Sequence, residues 1–254
     1  MLSFDKVSKI YFSPSGTTKR IVDEIARNFN LDNENYDLLS FDDDKSFENE
    51  LVIVGVPVFD GRIPEMAKNR LLQMKGNGTK VIAIINYGNL SYGDALLELV
   101  DLLKENNFDV VGAAATVSRH SLFNEIAPSR PDNLDMKMIN EFSHKIIEKL
   151  ESENSNEIFV AGQKPFMDYV NHSFNVNCDD DLCVYCNDCV YTCPTDAIEE
   201  DNPTDTNLDL CNSCSLCIAI CGENARSFDG MNYYDEKQVA LDNDMSRKEV
   251  EFFM

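Results

Sequence analysis

Cys183-Val184-Tyr185-Cys186-Asn187-Asp188-Cys189-Val190-Tyr191-Thr192-Cys193-Pro194 returns 28 residues later as Cys211-Asn212-Ser213-Cys214-Ser215-Leu216-Cys217-Ile218-Ala219-Ile220-Cys221-Gly222. Both runs read C-x2-C-x2-C-x3-C, and the repeat extends past the cysteines, because Ala197 and Ala225 hold matching positions. Thiols three residues apart in a tight loop point at three corners of a cube. The fourth corner then comes from elsewhere, which ties the two halves together. Four-cysteine zinc sites also use C-x2-C pairs and are the alternative here. They rarely show three cysteines at successive x2 spacings followed by a fourth at x3, twice over, so the pattern favours iron–sulfur chemistry. Cys178, the ninth cysteine, stands outside the repeat and reads as an inert thiol.

The surroundings agree. Between 175 and 232 there are 12 Asp and Glu against one basic residue, Arg226, a local charge of −11. A short segment so acidic and so poor in core residues does not fold unaided, and metal is the natural staple. The duplicated run resembles the bacterial two-cluster ferredoxin motif, in which the fourth cysteine of each run ligates the other cluster. That resemblance implies two [4Fe–4S] clusters, one held by Cys183, Cys186, Cys189 and Cys221, the other by Cys211, Cys214, Cys217 and Cys193. Gly222 replaces the usual proline, and Asn187 and Ser215 follow the second cysteine where glycine is common. These departures bear on the redox potentials, not on ligation.

Upstream, strand-length apolar runs alternate with helical patterns. Strands are expected at Val7–Phe12, Tyr36–Leu39, Leu51–Val56, Lys80–Asn86 and Val110–Val117, with helices near 17–28, 65–74, 91–106 and 134–150. The nearly continuous apolar runs 51–56 and 81–85 suit parallel strands covered on both faces, and the alternation implies a parallel sheet with right-handed crossovers. The first strand ends in Ser13-Pro14-Ser15-Gly16-Thr17-Thr18 at a helix start, where amides and hydroxyls favour an anion. Plain helix capping is the competing explanation.

This turn resembles the phosphate-binding loop of flavodoxins, and by matching position Ser13, Ser15, Gly16, Thr17 and Thr18 would hold the phosphate of FMN. Two later strand ends match the loops that flank the flavin ring in that family. These are Pro57, Val58, Phe59, Asp60 and Gly61, then Asn86, Tyr87, Gly88, Asn89, Tyr92, Gly93 and Asp94. Gly61 is placed to turn a backbone group toward the flavin N5, and Phe59, Tyr87 or Tyr92 to stack on the ring. Arg62, Arg119 and His120 are expected near its rim; His144 and His172 are read as surface or packing residues.

The expected fold class is α/β: a flavodoxin-like doubly wound parallel five-stranded sheet at 1–150, then a small α+β two-cluster ferredoxin-like domain at 173–235. A linker at 151–172 separates them. The tail 236–254, with the capping-box pattern Ser246-Arg247-Lys248-Glu249, reads either as a short docked helix or as an arm reaching another subunit. The whole resembles the flavodoxin–ferredoxin fusion proteins of anaerobic bacteria and archaea. That resemblance implies a low-potential electron carrier linking FMN, two [4Fe–4S] clusters and redox partner proteins. An FMN-dependent reductase of a small molecule, such as a quinone or nitro compound, is the rival. A non-redox reading, with structural clusters and a phosphate sensor, is a third.

A net charge of −23 over 254 residues argues against nucleic acid and anionic membranes, and reads equally as a solvated surface or as steering toward partners with a basic docking face. No run approaches the ~18 apolar residues of a membrane span. Met1 to Lys6 lacks the charged and apolar regions of a signal peptide, so a cytoplasmic location is expected.

Overall fold

A computed structural model describes residues 4–152, 156–170, 174–243 and 245–254. In chain order the elements are β1 (Lys6–Tyr11), α1 (Thr17–Arg27), β2 (Asp32–Asp37), β3 (Lys45–Ser46), β4 (Leu51–Pro57), α2 (Glu65–Leu71), β5 (Met74–Lys75), β6 (Lys80–Tyr87), α3 (Ala95–Glu105), β7 (Asp109–Val117), α4 (Asn133–Glu151), β8 (Asn175–Cys178), α5 (Asp188–Tyr191), α6 (Leu216–Ile220), β9 (Arg226–Asp229), α7 (Met231–Leu241) and β10 (Glu251–Phe253). The chain divides into two compact units. One comprises Met1–His120, Glu125–Tyr169 and Ser246–Met254; the other comprises Ser121–Asn124 and Val170–Met245.

The first unit is organised by a sheet in the order β10-β7-β6-β4-β1-β2. Its five long strands pair in parallel, and β2-β1-β4-β6-β7 is the flavodoxin-like doubly wound order. Side chains alternate across the sheet as strand geometry dictates. Val52, Val54 and Val56 face the core with α2 and α3, while Leu51 and Ile53 face α1 and α4. β2 begins at Asp32, four residues before the expected start. As an edge strand it pairs with β1 alone, and its mostly solvent-facing Asp-Asn-Glu-Asn-Tyr-Asp sequence carries no apolar signal.

Two segments differ from expectation. The tail is not a docked helix: α7 ends at Leu241, and β10 adds a sixth, antiparallel strand to β7, with Phe252 opposite Ala114. The capping-box residues are used otherwise. Arg247 pairs with Asp132 and Asp135 at the start of α4, Asn89 receives Lys248 N at 3.0 Å, and Phe252 stacks on Phe142 with centroids 4.7 Å apart. The stretch expected as a linker packs into the first unit through Tyr169. Ile158 is buried in its core, and Asp94 receives Gln163 N and Met167 N, both at 2.8 Å. Residues 153–155 and 171–173, with His172, lie outside the described residues.

Gly55 of β4 is required by close approach. A Cβ there would sit 2.3 Å from Val22 Cγ2 on α1, and a β-branched helical side chain has little freedom to move aside. Gly55→Ala is expected to lower stability by about 1–3 kcal/mol, read as a reduced urea midpoint with an unchanged slope.

Candidate cluster and cofactor sites

The second unit is built twice over, 28 residues apart. Asp179 N donates to Ala225 O and Asn207 N to Ala197 O, both at 2.8 Å, so each half closes on the other. Cys183 N donates to Asp179 O at 2.9 Å as Cys211 N does to Asn207 O at 3.0 Å. Ala197 N reaches Cys193 Sγ at 3.3 Å, and Ala225 N reaches Cys221 Sγ at 3.2 Å. Left-handed residues repeat as well: Tyr185 and Ser213 at φ 55° and 52°, Asn187 and Ser215 at 62° and 67°, Asp196 and Asn224 at 53° and 54°. Asn187 and Ser215 thus adopt the conformation that explains why glycine is common there. Asparagine tolerates it better than serine.

These turns gather the thiols. Cys193, Cys211, Cys214 and Cys217 line one cavity. Cys183, Cys186, Cys189 and Cys221 line another, together with Cys178. The fourth cysteine of each run therefore stands with the first three of the other. Burial pushes the Cys214 and Cys217 thiols up to about 12, and Cys178 up to about 11. Such thiols stay protonated at neutral pH unless a cation offsets the lost hydration, and iron supplies that cation. Ser215 Oγ and Arg226 Nε are buried without a hydrogen-bond partner, one at each cavity. Four thiols with unspent polar groups beside them fit an iron–sulfur cluster.

In the first unit the turn after β1 is open where an anion would sit. Gly16 is left-handed at φ 76°, and a Cβ on it would meet nothing within 4 Å. Ser13 Oγ accepts from Lys19 N at 3.0 Å, which caps α1 and leaves the hydroxyl proton free to donate. Ser15 and Thr17 hydroxyls lie 3.0 Å apart. Asn86, at the end of β6, ties this turn to the neighbouring strand ends: its amide donates to Thr17, Thr18 and Ser118 hydroxyls at 3.2, 3.3 and 3.0 Å. The phosphate end therefore fits the group.

The two ring-flanking loops are joined to each other. Phe59 and Arg62 exchange backbone hydrogen bonds across Asp60 and Gly61, whose φ values of 49° and 77° make a type I′ turn. Pro57 ends β4 and Val58 N donates to Asn86 O at 3.1 Å, while Gly61 O accepts from Asp94 N at 2.8 Å. A Cβ on Gly61 or Gly93 would meet Met167 Sδ at 2.5 and 2.8 Å, so the 163–169 segment covers both loops. Asn89 holds the tail and Asp94 that segment. Tyr87 and Tyr92 pack edge to face at 5.3 Å, and Tyr92 donates to Glu251 at 2.9 Å. Burial pushes the Tyr87 phenol up to about 12. His120 packs on Gly88, and burial holds its imidazole down to about 4. Arg62 is not a free cation at the rim. It makes a two-pronged pair with Glu98 at 2.8 and 2.7 Å, donates to Met167 O, and lies 5.1 and 5.3 Å from the Phe166 and Tyr169 ring centroids. Sequence spacing could not reveal this clamp, because Arg62, Glu98 and Met167 share no local pattern.

Residues 179–199 match a family described as a 4Fe-4S binding domain. The B subunit of the polysulfide reductase of Wolinella succinogenes is 34% identical over 85 residues, which is 32% of this chain and 43% of that protein. The chain thus spans less than half the length of that curated relative. Among solved structures, a flavodoxin from the domain Archaea aligns with a TM-score of 0.42 and 17% identity over 57% of this chain and 99% of that one. Rubredoxin oxygen:oxidoreductase from Desulfovibrio gigas aligns at 0.44 and 16%, over 60% and 37%. The strand order, and not this faint likeness, defines the fold. The chain joins a flavodoxin-like unit to a unit that carries a [4Fe–4S] motif, which is the equipment of an electron-transfer protein. Among the described residues no helix is long and apolar enough to cross a membrane.

Replacing Ser215 with glycine is expected to leave iron and sulfide per chain unchanged, while Ser215→Val is expected to lower both, since a β-branched residue cannot hold φ near 67°. Glu98 tests the loop clamp. Burial alone would raise its pKa, but hydrogen bonds from Arg62, Lys68 and Ile63 N lower it overall. Its contribution to stability is full above the unfolded carboxyl value of about 4.3 and is lost as pH falls through the depressed native value. Glu98→Gln is expected to cost about 3 kcal/mol at neutral pH and to flatten the loss of urea stability as pH falls below the unfolded carboxyl value of about 4.3.

Proposed function

We propose that the protein is a cytoplasmic electron carrier that passes single electrons between FMN, two [4Fe–4S] clusters and redox partner proteins. The observation carrying this reading is the repeated hydrogen-bond pattern that divides eight thiols, four and four, between two cavities. When bound, each cluster exchanges one electron and the flavin up to two. The chain's own work is to hold and shield them. Cys183, Cys186, Cys189 and Cys221 would ligate one cluster and Cys211, Cys214, Cys217 and Cys193 the other. The hydroxyls and first-turn amides of residues 13–18 would anchor the FMN phosphate.

The carrier reading is favoured over the reductase by the 163–169 segment. A small substrate needs an open pocket above the flavin ring, whereas Asp94, Arg62 and Ile63 hold this segment on the ring-flanking loops through Gln163 N, Met167 N, Met167 O and the Tyr169 hydroxyl. At the cluster unit, exposed Cys186 lines its cavity together with exposed Val184 and Tyr185. Acidic Asp179, Asp180, Asp181 and Asp188 border them in sequence. An apolar patch with an acidic border suits a redox partner presenting a basic docking face.

Anaerobic purification of the full chain is expected to yield about eight irons, eight sulfides and one FMN per chain. Zinc in place of iron and sulfide would defeat the cluster assignment. Full iron without flavin would remove FMN and leave the first unit as a docking or phosphate-sensing module.

A further inference from the structure

The internal repeat is broken at one buried pair of matching positions. Ile198 and Arg226 stand 28 residues apart and are 4% and 3% exposed. Ile198 lines the cavity of Cys193, Cys211, Cys214 and Cys217. Arg226 lines the cavity of Cys183, Cys186, Cys189 and Cys221. Arg226 lies opposite Cys178 across the β8–β9 ladder, donates through Nη1 to Thr206 Oγ1 at 3.0 Å and through Nη2 to Pro203 O. Its Nε is buried without a hydrogen-bond partner. Arg226 is not among the residues that line the cavity of Cys193, Cys211, Cys214 and Cys217. It is the one basic residue between 175 and 232.

We propose that Arg226 makes the two cluster sites unequal, raising the reduction potential of the cluster at Cys183, Cys186, Cys189 and Cys221 above that of its neighbour. The inference rests on the two-cluster reading above. Reduction adds one electron, and so one negative charge, to a cluster; the donor, a low-potential one-electron reductant, loses that electron, and no bond or proton need change. A fixed guanidinium stays charged at any working pH and stabilises the added charge, most strongly where water is excluded. At the matching position Ile198 supplies no charge. The attraction falls with distance, so the site whose cavity Arg226 lines gains more than the site whose cavity it does not line. In the half-reduced protein the electron therefore rests on the Arg226 side, and the asymmetry sets a direction within an otherwise duplicated unit.

The test is a redox titration of the anaerobically loaded full chain, reduced with dithionite and followed by electron paramagnetic resonance, with iron and sulfide counted in each sample. The wild type is expected to show two separate one-electron cluster waves. Arg226→Ile, which restores the repeat, is expected to lower the upper wave and weaken the preference for that site by about tenfold or more, which is about 59 mV for one electron. Arg226→Lys is expected to keep most of the separation. Should Arg226→Ile fail to assemble, Arg226→Gln, which keeps hydrogen-bond donors near Pro203 and Thr206, serves in its place. Coincident wild-type waves would overturn the proposal, as would a fully loaded neutral variant with unchanged potentials or with the lower wave moved more than the upper. Iron for a single cluster in the wild type would instead defeat the two-cluster reading, and so separates the two failures.

Discussion

Two backbone hydrogen bonds, Asp179 N to Ala225 O and Asn207 N to Ala197 O, cross between the halves of the repeat, and the geometry of the cluster unit follows from them. They bring Cys221 beside the first run and Cys193 beside the second. Neither half can complete its thiol set alone. The same crossing draws thiols into surroundings where burial keeps them protonated, as at Cys214 and Cys217. A segment with so many carboxylates and so little apolar core would gain stability from metal bound by those thiols.

The first unit solves a different problem. Its core is self-sufficient: β4 and β6 are buried on both faces and bounded by helices packed against each side of the sheet. What lies beyond the carboxyl ends of the strands is consequently free to specialise. Asn86 gathers the hydroxyls of two chain segments, at Thr17–Thr18 and at Ser118, beside the turn after β1, while Arg62, Glu98 and Asp94 fasten a distant stretch of chain over the two neighbouring loops. Buried ion pairs of this kind offset the cost of desolvation only when every donor and acceptor is engaged, and Glu98 accepts from Arg62, Lys68 and Ile63 N together.

Much of this was legible in the chain itself, for local reasons. Cysteine spacing is a short-range pattern whose geometry is set by a few residues, so the repeat could be read directly from 183–193 and 211–221. The parallel strands announced themselves because burial on both faces demands uninterrupted apolar runs, as in Leu51–Val56. The glycine-bearing turn at Ser13–Thr18 likewise carries its conformation in its composition. At Asn187 and Ser215 the departure from glycine was visible, but that both residues take up glycine's left-handed geometry was not.

Other features were decided only when remote segments met. β2 is polar because an edge strand needs pairing more than burial. The capping-box pattern at Ser246–Glu249 became no helix, since Arg247 found Asp132 and Asp135, and Phe252 found Phe142. The linker became part of a clamp through partners about 70 to 105 residues away in sequence. Arg226 gained its place opposite Cys178, lining one thiol cavity and not the other, through a strand pairing no local periodicity encodes. Sequence by itself determined the classes of element and the thiol chemistry, because those depend on near neighbours. Tertiary structure alone decided which loops are covered and where the buried charge stands, because those depend on which distant side chains satisfy one another away from water.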